Sequence, residues 1–394
     1  MKPVSATQRA LVLAVVLLQS TIAPIVMSGL IPNYMGQLTD TFGASRGQIG
    51  TVLAVTVLIA SAFGLLAGSL AERIGNERVL VIAIGGQAIT AALFTFVGST
   101  WAALLLALAF YSTMNMTCVA NAVATDFFVS SRKRGVNLLH AINSVGKLAG
   151  PVVALIFAAV WRWGFFATGI YGLVLLAMAL TAFRGPVHRV STERLRNDPV
   201  LHRPLFWVTV AGFALLVAAE FSVAQWLPTF LTKVRGFSGD VTKILHACFM
   251  AGLVSGRFGM VLFGYRFSHR QVLYGCIACA LFLLPAMWLT APIAVGVFLF
   301  LHGIAFSAAY PTHFSYITRF FPRHVSALSG GSGLSRCVGF ATAYFVSGWI
   351  SDWSPTWAVL TGVVMMAAYG GLVFGLDRFE KRLPALEQVP SAPV

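Results

Sequence analysis

Along the chain, long stretches with almost no charge alternate with short stretches where the charges collect. Passing over lone charges inside apolar runs, the charge-poor stretches run from Arg9 to Asp40, Arg46 to Glu72, Arg78 to Asp126, Arg134 to Arg162 and Arg162 to Arg184. The third is about twice as long as its neighbours. A helix needs roughly 20 apolar residues to cross a bilayer, so the third stretch holds two spans and the set predicts six. The second half repeats the order with Arg203 to Lys233, Lys243 to Arg266, Arg270 to Arg319, Arg323 to Asp352 and Asp352 to Asp377, again with the double-length stretch in third place. Twelve spans follow, at about 10–31, 47–70, 79–97, 101–125, 135–158, 163–183, 205–231, 244–264, 271–290, 292–317, 325–350 and 356–376.

A repeat of roughly 190 residues is an internal duplication that builds two helix bundles around a central site, as secondary transporters do. The expected organisation is an N-terminal six-helix bundle (1–184), a cytoplasmic linker (185–204), a C-terminal six-helix bundle (205–377) and a cytoplasmic tail (378–394). The fold class is therefore an all-α membrane protein with two pseudo-symmetric halves. Composition agrees: 58% of residues are hydrophobic and 10% charged, against about 25% charged in soluble domains.

The net charge of +15 would suggest nucleic acid in a soluble chain; here it orients loops. With the N-terminus cytoplasmic, Lys and Arg crowd the cytoplasmic segments, and only Arg46, Arg162, Lys233, Arg235 and Lys243 fall on the other side. The positive-inside rule then places both termini in the cytoplasm. Trp101, Trp161, Trp163, Trp349, Trp353 and Trp357 lie at the expected outer ends, where amphipathic rings settle among headgroups. Lys2 and Arg9 precede an apolar run too long for a signal peptide. A bacterial inner membrane is the expected location, with a functional monomer and no nucleic-acid partner.

Cys118, Cys248, Cys276, Cys279 and Cys337 all lie in apolar stretches, so no disulfide framework is expected. Cys276 and Cys279 form a C-x-x-C without a nearby His pair, which reads as packing rather than metal binding. No H-E-x-x-H or P-loop occurs. We therefore expect no enzyme, cofactor or metal, and transport driven by a gradient.

Charges inside the apolar runs carry the chemistry. Three cations, Lys147, Arg257 and Arg336, face one acid, Glu220. An ionisable group at the bilayer centre costs from about 2.5 to over 10 kcal/mol, so each should point into the bundle and act there. Lys147 stands as far past Arg134 as Arg336 stands past Arg323, so these two occupy equivalent places in the repeats. Either an anion sits among the cations, or Glu220 pairs with one of them and the others bond to backbone carbonyls, with Arg257 beside Gly252 and Gly256 the first to do so. Glu220 is the first candidate to carry a coupling proton. His140 follows, two helical turns before Lys147 on the same face, with His302 and His313 behind it. Asn143, Gln225 and Tyr310, together with Asn115, Asn121 and Thr312, supply polar groups for a substrate or for helix contacts.

The segment after the second span, Gly68-Ser-Leu-Ala-Glu72-Arg73-Ile-Gly75-Asn76-Glu77-Arg78, resembles the signature of the major facilitator superfamily. The resemblance implies a cytoplasmic gate formed by Gly68, Glu72, Arg73, Gly75 and Arg78, with Arg73 paired to Asp126 at the end of span four. Glu72 stands where the superfamily usually has Asp, and Asn76 where it has a basic residue, which weakens that latch. In the superfamily's arrangement spans five and eleven line the central cavity, so Lys147 and Arg336 would face each other with an anion between them. Shorter fragments, 135–146, 219–226 and 310–312, resemble the fucose-permease-like group, whose members are similar to sugar/proton symporters with acids in spans one and four. Here span one offers Gln19, Ser20 and Thr21, and span four Thr113, Asn115, Thr117 and Asn121. The expectation is a secondary active transporter of a small organic anion, coupled to protons or a counter-anion; a proton-coupled sugar or polyol symporter and a multidrug efflux pump are the alternatives.

Overall fold

The computed structural model describes residues 6–120, 123, 132–183, 199–263, 266–321 and 324–382. Among the described residues twelve long helices follow one another: α1 (Thr7–Asn33), α2 (Arg46–Ile74), α3 (Asn76–Phe94), α4 (Thr100–Met116), α5 (Arg132–Ile156), α6 (Arg162–Ala182), α7 (Pro204–Lys233), α8 (Gly239–Phe263), α9 (His269–Trp288), α10 (Pro292–Ile317), α11 (Val325–Trp353) and α12 (Pro355–Arg382). Nine described helices are long and apolar enough to cross a membrane, and α4 is shorter. Side chains such as Leu66 (59% exposed) and Ile293 (85% exposed) point outward, which suits hydrocarbon and not water.

Local chemistry sets the helix starts. Ser45 and Ser268 close capping boxes with Gln48 and Gln271 at the starts of α2 and α9, and Ser99 caps α4. Pro204, Pro292 and Pro355 occupy first positions, where the missing N–H is no loss. Two of the ends that depart from expectation have a visible cause. α2 does not stop at the membrane edge: it carries Glu72 and Arg73 as helix to Ile74, and Gly75 (φ 94°) then makes the break by taking a conformation that favours glycine. α12 runs past the expected boundary at 377 to Arg382. Its last turns are held because Asp377 accepts from Arg270 (2.9 Å), Tyr316 (2.7 Å) and Tyr274 (3.0 Å), while Glu380 meets Arg270 (2.9 Å) and Arg319 (3.1 Å).

The first six helices pack on one another, as do the last six, and the halves meet along α2 with α11 and α5 with α8. α1 is irregular, with a tight turn at Gln19–Thr21 and a wide one at Ile25–Leu30. There α5 comes close: a Cβ on Gly146 would lie 2.6 Å from the Thr21 Cα, and one on Gly29 would collide with Gly150.

We call the end of the bundle away from the chain termini distal. It is closed. Asp352 on α11 accepts from the Ser45 hydroxyl (2.7 Å) and the Gly47 N–H (3.0 Å) and pairs with Arg46 (3.6 Å), and Trp349 donates to Thr51 (3.0 Å). Tyr111 and Tyr344 join hydroxyls at 3.1 Å across the halves.

Candidate substrate site

Four helices bring the intramembrane charges together where the halves meet. Lys147 (α5, 6% exposed) and Glu220 (α7, 8% exposed) form a buried ion pair from one half to the other. The ammonium also lies over the Phe221 ring, 5.3 Å from its centroid. Arg257 on α8 reaches three groups: Nη1 donates to the His140 carbonyl (3.0 Å) and to the Ser144 hydroxyl, and Nε to the Ser307 carbonyl (3.3 Å). It gets there because α8 and α10 almost touch; a Cβ on Gly256 would collide with Ser307, and one on Gly252 with the Phe300 carbonyl. Thus of the two arrangements left open by the sequence, Glu220 takes a cation and Arg257 takes carbonyls. This changes the picture of an anion held symmetrically between Lys147 and Arg336, because Lys147 is already neutralised.

Arg336 is different. Its Nε is buried with no hydrogen-bond partner, and among the described residues no carboxylate pairs with it. Arg257 and Arg336 both lie within electrostatic reach of Lys147 and His140. Among the described residues three cations here share one carboxylate, and Arg336 lies within electrostatic reach of the Lys147–Glu220 pair through Lys147. Tyr310 adds a ring 6.4 Å from that of His140 and 4.7 Å from Phe213, and Phe221 meets Phe340 at 4.3 Å. The surroundings are aromatic and the centre is positive.

Several other expected site residues have structural partners. Asn143 donates to the Ser20 carbonyl (2.9 Å) and so ties α5 to α1. Asn115 donates to the carbonyl of Tyr111 (3.0 Å). Gln225 is fully buried, and neither end of its amide has a partner. His313 bonds the Thr209 carbonyl and the Tyr369 hydroxyl, both at 3.0 Å, and His302 stacks on Phe249. Glu72, Arg73 and Arg78 are exposed on the end of the bundle around Gly75, and nothing lies within 4 Å of a Cβ built on Gly68. Asn121 and Asp126 fall outside the described residues, and with Asp126 the expected partner of Arg73. An apolar cavity of about 550 Å³, walled by Phe42, Phe94, Phe110, Tyr111 and Phe165 of the first half and Trp349 of the second, lies apart from these charges.

Sequence reasoning missed Ser144 and Ser307. Ser144 was within reach of a face argument, since His140, Ser144 and Lys147 follow at i, i+4 and i+7 on α5. Ser307 contributes only a carbonyl, which has no sequence signal.

A position-specific model of the Major Facilitator Superfamily matches residues 11–343. The chain belongs to that superfamily. It is therefore a multi-pass membrane transporter, and its relatives are transporters, not enzymes. One relative is a probable nitrate/nitrite antiporter, NarK1 of Thermus thermophilus, 25% identical over 337 residues that cover 76% of this chain and 75% of that protein. Another is the cis,cis-muconate transport protein of Acinetobacter baylyi, 23% identical over 378 residues, 86% of this chain and 87% of that protein. Among solved structures, a bacterial homolog of the human lysosomal transporter Spinster, inward-facing and unoccupied, superposes with a TM-score of 0.74 at 16% identity, covering 97% of this chain and all of that one. At that identity the likeness shows the fold.

Proposed function

We propose that this transporter is a secondary active carrier of a small organic anion, working by alternating access and coupled to protons or a counter-anion. The observation that carries the reading is Arg336, whose Nε is buried without a hydrogen-bond partner and which no carboxylate pairs among the described residues, within electrostatic reach of Lys147 at the junction of the halves. Two unit charges 4 Å apart attract by about 4 kcal/mol at an effective dielectric constant near 20, so an anion here relieves repulsion that the protein alone leaves in place. The anion binds Arg336 first and competes with Glu220 for Lys147. A proton on Glu220 frees the ammonium and links proton and anion. Relatives named for nitrate/nitrite and cis,cis-muconate support an anionic substrate.

The charge bias of the loops supports cytoplasmic termini in a bacterial inner membrane, which makes the distal end the outer one. On that reading the structure is the half-cycle with the outer side shut, and Gly68, Glu72, Arg73, Gly75, Arg78 and Asp126 form the inner gate. A monomer with bundles at 1–184 and 205–377, joined by a linker at 185–204, suffices for this cycle.

The aromatic surroundings, Phe213, Phe221, Phe340 and Tyr310, favour a second reading, efflux of lipophilic compounds, for which relatives named for multidrug resistance exist. Thermal stabilisation by mono- and dicarboxylates, nitrate, neutral sugars and lipophilic cations separates the readings. A ligand at 100 times its dissociation constant stabilises by about 2.7 kcal/mol. We expect an anion to stabilise the wild type and to fail with Arg336→Gln; stabilisation by lipophilic cations that survives Arg336→Gln overturns the anion reading.

A further inference from the structure

Near the distal end the halves also meet through Asn33 of α1 and His246 of α8. The Asn33 amide nitrogen lies 2.8 Å from the Gly29 carbonyl and 2.8 Å from His246 Nδ1. A carbonyl only accepts, so the Gly29 contact decides which end of the amide is nitrogen. That nitrogen then donates its second hydrogen to the imidazole, and Nδ1 must be an acceptor. Only a neutral ring carrying its hydrogen on Nε2 fits. Nε2 is itself buried with no partner, and His246 has no exposed surface. Phe249, a turn further along α8, lies parallel to the ring at 6.4 Å.

We propose that His246 is a proton-binding site of the distal closure, neutral and latched to Asn33 while the ends are sealed, protonated when they part. A proton on Nδ1 sets N–H against N–H. Turning the amide over does not help, because its oxygen would then face the Gly29 carbonyl. The added charge would moreover be sealed in a place where Nε2 already lacks a partner, and burying an unpaired charge is costly. Separation of the halves gives both nitrogens water. Protonation therefore favours the distally open form, whatever the substrate.

The neighbouring groups leave this logic intact. On α8 itself Lys243 is paired with Asp240 (3.2 Å). α10 contributes His302, beyond Phe249. α7 offers Glu220, taken by Lys147, and Lys233 at its end. α5 has no titratable residue between Lys147 and Ile156, and Tyr34 of α1 donates to the Ala154 carbonyl (2.9 Å).

The test uses the full chain in nanodiscs, its native cysteines replaced by serine and spin labels placed at Gly36→Cys and Val234→Cys, exposed distal positions on opposite halves. Distances are read between pH 8 and pH 5 without substrate. One linked proton changes the ratio of sealed to separated molecules by at most tenfold per pH unit. We expect the separated population of the otherwise wild-type chain to grow as pH falls. His246→Gln, whose amide oxygen still accepts from Asn33 but does not titrate, abolishes the response. Asn33→Asp, whose carboxylate pairs with a protonated ring, reverses it and seals the end at low pH. A pH-independent distance in the otherwise wild-type chain, or an unchanged pH response in His246→Gln, overturns the proposal.

Discussion

At the scale of single residues, the two guanidinium groups of the site demand opposite outcomes. Arg257 holds two carbonyls and a hydroxyl from two helices, so Arg257→Gln should lower the melting temperature of the purified protein. Among the described residues no carboxylate compensates Arg336 and its buried Nε has no bond to lose, so Arg336→Gln should leave the melting temperature unchanged or raise it while removing anion binding. Glu220→Gln is the harshest of the three changes. It strands the Lys147 charge, and breaking one side of a buried pair costs about 3–5 kcal/mol, whereas replacing both sides by apolar residues is close to neutral. The Lys147→Met, Glu220→Met double variant should therefore be more stable than Glu220→Gln in thermal unfolding and yet transport nothing. These four charges were legible in the sequence, because a charge within an apolar run is rare and expensive. Their pairing was not. Which cation meets Glu220 depends on how one half is turned against the other, and nothing local to Lys147 or Arg257 encodes that rotation.

At the scale of helices, the sequence marked where apolar runs end, and that is a different boundary from where helices end. Glu72 and Arg73 close the apolar run of α2 but are good helix formers, so the helix continues until Gly75 breaks it. α12 shows the same thing at Asp377. That carboxylate gathers three donors from α9 and α10, and a hydrogen bond to a charged group contributes about 1.5–3 kcal/mol. In Asp377→Ala, hydrogen exchange at 377–382 should rise well above that of the wild type, with the middle of α12 unaffected. The irregular turns of α1 had no sequence signal beyond Pro24, although the glycines opposite them did. Gly150 packs its Cα against Gly29, and Gly150→Val should prevent α1 and α5 from closing and sharply reduce the folded yield.

At the scale of the whole molecule, two kinds of contact keep the distal end shut. His246 answers to pH. Asp352 holds the start of α2: it accepts from Ser45 and Gly47 and pairs with Arg46, placing a negative charge at the positive end of that helix dipole. Both charged side chains of this pair are about a quarter exposed, so solvent and salt screen the pair to about 0–1 kcal/mol. The helix-end contacts add a similar amount. Losing about 1–2 kcal/mol changes a two-state ratio by roughly 5–30-fold, enough to move a closed end to a mixed population without unfolding either half. In Asp352→Ala, labels at Gly36→Cys and Val234→Cys should therefore report separated ends already at pH 8. Lowering the pH should still increase that population, because the Asn33–His246 contact lies on α1 and α8, away from the α2–α11 seam. A variant that opened at pH 8 and no longer responded to pH would mean instead that the two contacts form one cooperative seal.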